Sequence, residues 1–331
     1  MKAAVLRGAR RLAVEERPDP GAPGPGQVRV RVRAVGVCGS DVHYFAHGRI
    51  GGFVVREPMI LGHEAAGTVD AVGEGVTGFQ PGDVVAMEPG VPCMACGACR
   101  AGRYNLCADV RFFATPPVDG VLADAVLHPA GFTHQAPAGM TADVACLAEP
   151  VSVAIQAVRK ANVRMGERAL VVGAGPIGVL TALVARYAGA APVLSDVRES
   201  RLTAARSLGL EARQTVAAAP AFDLAFECSG APGTLRLACE CCRAGGTVVQ
   251  VGMHQADAEP LPVFALTTRE LTVRGVFRYA NTYPAALEFL ERMSGRMAPF
   301  FSSFIGMEEV AAHFGRAAGG QAEALKTIVR V

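Results

Sequence analysis

Residues Arg168 to Tyr187 read RALVVGAGPIGVLTALVARY. The apolar run Ala169 to Val172 leads straight into Gly173-Ala174-Gly175-Pro176-Ile177-Gly178, and a second apolar stretch follows. G-x-G-x-x-G after a strand and at the mouth of a helix is the context of a pyrophosphate site. Gly173 makes the tight turn, Gly175 lets phosphate approach the backbone, and Gly178 lets helix and strand pack. Amides at the helix N-terminus and the helix macrodipole then hold the negative charge. Alone, the motif also fits a glycine turn in any parallel sheet. Asp196, ending the next expected strand, adds a carboxylate that can accept both ribose hydroxyls and repels a 2′-phosphate, which favours NAD over NADP. Arg198 and Arg201 lie nearby and soften that preference, since a guanidinium can hold a phosphate or stack on adenine. Ala169 to Ala185 carries no charge, but its glycines and Pro176 suit a strand, turn and helix better than a membrane span.

Strands and helices alternate on either side of this unit. Helix Val151 to Arg159 precedes strand Arg168 to Val172. Helix Ile177 to Tyr187, strand Val193 to Asp196, helix Arg198 to Leu208, strand Asp223 to Glu227, helix Pro232 to Cys242, and strands Gly246 to Val251 and Leu271 to Val276 follow. The alternation predicts a doubly wound parallel sheet over residues 148–276, an α/β domain. Residues 1–147 differ: short strands (Gln27 to Val35, Ala65 to Val72, Asp83 to Met87) alternate with Gly and Pro clusters such as Pro18 to Gly26, so this domain is β-rich. The tail, 277–331, predicts helices Tyr283 to Met293 and Met307 to Ala318 and a last strand, Thr327 to Val331, that rejoins the first domain.

The chain has 331 residues, 51% of them hydrophobic, enough for two buried cores. Its formal charge of +2 comes from 32 basic and 30 acidic residues with no basic block, so nucleic acid is not an expected partner. The N-terminal MKAAVLRGARRLAVEERP lacks the apolar core of a signal peptide, and the expected compartment is the cytoplasm. There the ten cysteines default to reduced thiols.

Cys93, Cys96, Cys99 and Cys107 give C-x2-C-x2-C-x7-C in a glycine-rich loop with little to bury. Four thiolates so spaced close around a tetrahedral zinc, and a closed four-sulfur shell is structural because it leaves no room for substrate. A ferredoxin-type cluster wants a shorter last gap followed by proline, and Ala108 follows Cys107. Cys239, Cys241 and Cys242 read as buried small hydrophobes.

A second set comes from distant parts of the chain: Cys38, His63 with Glu64, and Glu149. Singly, a cysteine is usually packing, a glutamate solvated and a histidine in a glycine turn structural. Together they offer the mixed ligands, with room for water or substrate, that catalytic zinc requires.

Val37 to Tyr44 (VCGSDVHY), Leu61 to Glu64 (LGHE) and the cysteine loop resemble the zinc-containing medium-chain dehydrogenase/reductase family. Gly48 to Gly51 (GRIG), Gly102 to Leu106 (GRYNL), Ala114 to Pro117 (ATPP), Glu149 to Val153 (EPVSV) and Gly275 to Tyr279 (GVFRY) resemble its sorbitol and xylitol dehydrogenase branch. The resemblance implies a GroES-like catalytic domain built from both chain ends, a Rossmann domain between them, and two zincs per chain, one catalytic and one structural. It implies a catalytic zinc on Cys38, His63 and Glu64, with Glu149 binding zinc or its water. It implies polyol contacts at Tyr44, Glu149, Arg278 and Tyr279. Cofactor contacts would lie at Ile177, Asp196, Arg201, Val251, Gly252, Met253, Val276, Phe277 and Arg278. The resemblance further implies a homotetramer or homodimer. The chain departs from sorbitol dehydrogenases between Gly209 and Phe222, where it is shorter by about one helix, too little for a crossover of a dozen residues.

The chemistry implied is Lewis-acid activation of a secondary hydroxyl, with hydride passing to the nicotinamide of NAD and a ketone as product. Ser40 with His43, or Glu149 through water, would carry the proton away. Three rivals stand beside this reading: a zinc dehydrogenase of a simple alcohol or of threonine, a zinc-free quinone-type reductase, and a non-catalytic NAD-binding protein of the same fold.

Overall fold

A computed structural model describes residues 1–254, 258–321 and 325–331. The chain divides into two compact units, Met1–Glu149 with Tyr283–Val331, and Pro150–Thr282.

In the first unit, β1 (Gln27–Gly36) carries VRVRVRAV. Alternation of valine and arginine puts one face in the core and one in solvent, and Val28, Val30 and Val32 are buried. Helix α1 (Gly39–His47) follows after two residues and ends at Gly48, whose φ of 68° permits the left-handed cap that closes on Tyr44 O. β2 (Glu64–Val72) and β3 (Val84–Met87) continue antiparallel, with Gly36 opposite Glu64. β4 (Ala125–Pro129) also pairs with β1, and β5 (Thr133–Gln135) pairs with β3.

Helix α2 (Ala148–Ala161) carries Glu149 in its first turn and Arg159 and Lys160 in its last, both complementary to the helix dipole. β6 (Arg168–Val172), α3 (Pro176–Tyr187), β7 (Ala191–Ser195), α4 (Glu199–Ser207), β8 (Glu211–Arg213), β9 (Phe222–Glu227), α5 (Thr234–Cys241), β10 (Cys242–Gln250) and β11 (Thr272–Gly275) make the second unit. Its strands are all parallel, in the order β8-β7-β6-β9-β10-β11. Every α3 residue from Gly178 to Ala185 is buried, as expected of a helix apolar on all sides.

The connection from β8 to β9 has no helix. Nine steps of extended chain reach about 30 Å, enough to pass β7 and β6 and return to the start of β9. Val216 and Ala221 pack on the core of Leu170, Phe222 and Ala238, while Ala221 N donates to Cys241 O. The missing helix thus leaves the strand order intact. Cys242 is the first residue of β10, not the last of a helix: it pairs with Phe222, and an irregularity follows before Thr247 pairs with Leu224.

The tail returns to the first unit as α6 (Tyr283–Met293), β12 (Phe301–Gly306), α7 (Val310–Ala318) and β13 (Lys326–Arg330). The stretch expected as one helix from Met307 begins with a 3-10 turn, Met307–Glu309, before α7. β13 lies beside β1, with Ile328 opposite Gly36, and completes the order β5-β3-β2-β1-β13-β12. A cluster of Val28, Val30, Val35, Met87, Phe314 and Val329 fills this core.

Candidate functional site

The start of α1 and the start of β2 bring three donors together. Ligand atoms of Cys38, His63 and Glu64 lie within 4.8 Å of one another. Metal-ligand bonds of about 2.0–2.3 Å put two donors at most about 4.6 Å apart, so this cluster is close to the spacing that one zinc ion would draw together. Asp41, 1% exposed, binds this set together. Its carboxylate accepts from Gly62 N at 3.1 Å and from Cys38 N at 3.4 Å, and lies 3.4 Å from His63 Nδ1. A carboxylate behind a ligating imidazole fixes its tautomer and leaves Nε2 for the metal. Burial pushes the His63 imidazole down, yet Asp41 and the Cys38 thiol together hold it well above its ordinary value. Two acidic neighbours thus favour positive charge at this spot.

Glu64 also meets Lys326, the first residue of β13. The Lys326 ammonium pairs with Glu64 Oε2 and donates to Val37 O at 3.0 Å. Burial opposes its charge, but Glu64 and the Cys38 thiol raise it above its usual value. A Cβ on Gly36 would overlap Glu64 Oε2 and stand 3.0 Å from Lys326 Cε, which is why glycine sits there.

Glu149 is buried in the first turn of α2 but outside the group of three donors. Ser40 and His43 are three residues apart on α1, on one face. Burial, and then His47, whose ring centroid is 4.6 Å away, pull the His43 imidazole below its ordinary value. Tyr44 is buried on the same helix.

Cys93, Cys96, Cys99 and Cys107 also lie within 4.8 Å of one another. Backbone N–H groups of Ala95 and Cys96 draw the Cys93 thiol down to about 7, while burial pushes Cys99 up to about 12. Four sulfurs with one thiol already poised to ionise suit a tetrahedral zinc. Glu88, 3% exposed, ties this loop to the sheet. Tyr104 Oη donates to Glu88 Oε1 at 2.7 Å, and His134 Nε2 lies 3.1 Å from its other oxygen.

In the second unit the glycine motif turns at Gly173, φ 99°. A Cβ on Gly178 would overlap Gly173 O, so helix and strand need that glycine. Gly175 caps α3 without a side-chain bond, and an added Cβ there would meet nothing nearer than Arg201 Nη1 at 3.7 Å. Asp196, just past β7, accepts from Ala174 N at 2.7 Å and Arg198 N at 2.8 Å, with Arg201 Nη1 3.6 Å away. Its carboxylate is thus held against the glycine turn. Ile177, Val251, Gly252 and Val276 are half-buried; Met253 and Phe277 are exposed. Arg278, at φ 53°, stacks over Phe277 at 4.7 Å, and Tyr279 beside it is buried.

Sequence reasoning missed Asp41, Lys326, Glu88 and Glu227. Asp41 sits inside the VCGSDVHY stretch and carried a signal; Lys326 and Glu88 depend on partners remote in the chain, whereas Glu227 bonds mainly to the turn that follows it.

The alcohol dehydrogenase GroES-like domain family matches residues 24–138, and the zinc-binding dehydrogenase family matches residues 176–292. The chain is 41% identical to sorbitol dehydrogenase of Gallus gallus over 93% of its length and 90% of that protein's. It is 38% identical to D-xylulose reductase A of Aspergillus niger, covering 98% of this chain and 95% of that one. The crystal structure of L-idonate 5-dehydrogenase from Escherichia coli superposes with a TM-score of 0.91 at 31% identity, over 100% of this chain and 98% of the other. The chain belongs to the zinc-containing medium-chain dehydrogenases, with a GroES-like domain and a Rossmann-like domain. Within them its branch is that of the sorbitol and xylitol dehydrogenases, and it is an oxidoreductase.

Proposed function

We propose that this enzyme oxidises a secondary hydroxyl of a polyol, of the sorbitol or xylitol kind, to a ketose with NAD as hydride acceptor. The observation that carries this reading is the convergence of Cys38, His63 and Glu64 in a chain about 40% identical to polyol dehydrogenases. Zinc bound there supplies a Lewis acid that acidifies a substrate hydroxyl. Cys38, His63 and Glu64 hold it, Asp41 orients His63, and the thiolate loop holds the second zinc as a structural ion. Glu149, outside the group of three donors, acts through a water. Tyr44, Glu149, Arg278 and Tyr279 are the polyol contacts. The proton leaves through Ser40 and His43, because His43 is half-exposed beside exposed His47 whereas Glu149 is buried.

The first unit is the catalytic domain and the second the NAD-binding domain. Gly173, Gly175, Ile177 and Gly178 take the pyrophosphate, Asp196 and Arg201 the adenosine ribose, and Val251 to Met253 with Val276 to Arg278 the nicotinamide half. Asp196, with its negative charge at the turn, selects NAD over NADP. The enzyme works as a homo-oligomer in the cytoplasm. β11 is an edge strand exposed throughout, and Val263, Phe264, Met253 and Phe277 of the same unit are exposed apolar residues, the features of a surface that pairs with a second copy.

Steady-state NAD reduction over sorbitol, xylitol, galactitol and arabitol, with ethanol and threonine as controls, tests the reading. Turnover of at least one polyol at far higher kcat/KM than either control supports it. Failure of all four while ethanol or threonine reacts removes the polyol assignment.

A further inference from the structure

Glu227 is the last residue of β9 and is completely buried, with no basic side chain among its bonded partners in the described residues. Neutral donors surround it instead. Oε1 accepts from Ser229 N and Ser229 Oγ, both at 2.8 Å, from Thr234 Oγ1 at 2.9 Å and from Gly230 N at 3.0 Å. Oε2 accepts from Gln250 Nε2 at 2.6 Å. The backbone carbonyl of the same residue accepts from Val251 N at 2.8 Å and Gly252 N at 2.9 Å. A buried carboxylate is costly unless donors saturate it, and here backbone and side-chain donors from two neighbouring segments do so.

The donors come from 228–234, which runs from the end of β9 into the first residue of α5, and from Gln250, the last residue of the adjacent β10, which leads into 251–253. These loops touch: a Cβ on Gly252 would stand 2.6 Å from Glu227 Oε2, and one on Gly230 would stand 2.5 Å from Met253 O. The glycine turn is the third member of the assembly. A Cβ on Gly173 would stand 2.9 Å from Ser229 Cβ, and Cys228 N donates to Val172 O at 2.8 Å. In doubly wound sheets, ligands bind at the carboxyl ends of the strands, the edge these three segments build.

We infer that Glu227 is a positioning residue for the dinucleotide: its carboxylate locks the 228–234 and 250–253 loops to each other and to the glycine turn at Gly173, so that the cofactor meets a preformed edge. Glu227 touches no cofactor atom in this scheme. It acts through Ser229, Gly230 and Gly252. The inference rests on the NAD-dependent reading above and adds to it a group assigned no other part in the reaction. Replacing one carboxylate oxygen by an amide nitrogen sets a donor against the N–H donors of Ser229, Gly230 and Gln250, so Glu227→Gln keeps the shape and weakens the lock.

NADH binding to the purified zinc-loaded enzyme, followed by the coenzyme's own fluorescence, provides the test. Glu227→Gln should raise the NADH Kd and the KM for NAD by about tenfold or more, while the KM for polyol and the zinc content stay at wild-type values. A mere packing role would lower the thermal midpoint and leave NADH affinity of the folded fraction unchanged. Ser229→Ala, which removes one donor and keeps the charge, should give a smaller rise of about threefold without loss of folding, and serves alone if Glu227→Gln does not fold. An NADH Kd within twofold of wild type in a folded Glu227→Gln protein, or an unchanged Kd in Ser229→Ala when only that variant folds, overturns the inference. A wild-type enzyme that binds no NADH overturns the functional reading instead.

Discussion

Cys38 and Asp41 divide the work of the metal pocket. Cys38 supplies a sulfur to the group of three donors, and Asp41 supplies none of them but bonds or faces Cys38 N, Gly62 N and His63 Nδ1. Cys38→Ser is expected to abolish turnover, with NADH affinity retained; equal loss of both would show that Cys38 does more than hold metal. Asp41→Asn should keep the fold and weaken zinc binding at the Cys38 site by about 10- to 100-fold, the usual cost of disturbing a partner of a ligating histidine. Competition with a graded chelator measures that affinity, and a wild-type value would remove Asp41 from the scheme. The donors themselves were legible in the sequence because thiol, imidazole and carboxylate are conspicuous in short glycine-bearing loops. Lys326 was not, since a lysine near a chain end reads as solvated, and only the pairing of β13 with β1 brings it to Glu64.

Among the larger pieces, the thiolate loop and the glycine turn carry the clearest expectations. The loop has two helical turns, Gly97–Arg100 and Tyr104–Leu106, neither long enough to persist alone. Its order rests on the four sulfurs and on Glu88. Cys99→Ser should therefore lose one zinc per chain and lower the thermal midpoint, because a structural zinc contributes folding free energy on the order of 10 kcal/mol in isolated modules; unchanged melting would deny the loop that role. β6, the glycine turn and α3 were readable from the period change between Arg168 and Tyr187, and they stand where that change puts them. The end of the helix before β10 was not readable, since Cys239 to Cys242 is not a patterned boundary in any period: Cys239, Cys241 and Cys242 are alike in chemistry, and pairing of Cys242 with Phe222 decides where the helix stops. The shortened connection after β8 was legible as a missing helix. That the sheet order survives it was not, because extended chain replaces the helix only when a neighbouring element, here α5, covers it.

For the protein as a whole, pH couples to stability through His128. The ring is fully buried, bonds through Nε2 to Glu88 O at 3.0 Å and Phe132 O at 3.1 Å, and burial lowers its pKa from 6.5 to about 4. Between those values the unfolded chain takes up a proton that the folded chain refuses. Stability must then fall as pH drops from about 6.5 towards 4, by up to about 3 kcal/mol from this group, and recover as pH rises. Urea unfolding of wild type and His128→Asn across that range reads the difference, and parallel profiles would contradict it. The two-unit plan followed from texture alone, a glycine- and proline-broken β region before an alternating α/β region. The second unit runs to Thr282, and near that end Asn281 O accepts from Arg159 of α2. Zinc content and polyol-driven NAD reduction, followed together as a chelator strips the enzyme and zinc is returned, probe the whole scheme at once. Two zincs per chain at the outset, activity that falls with the ion held by Cys38, His63 and Glu64, and recovery on adding zinc are expected; full turnover after both ions are gone would contradict it.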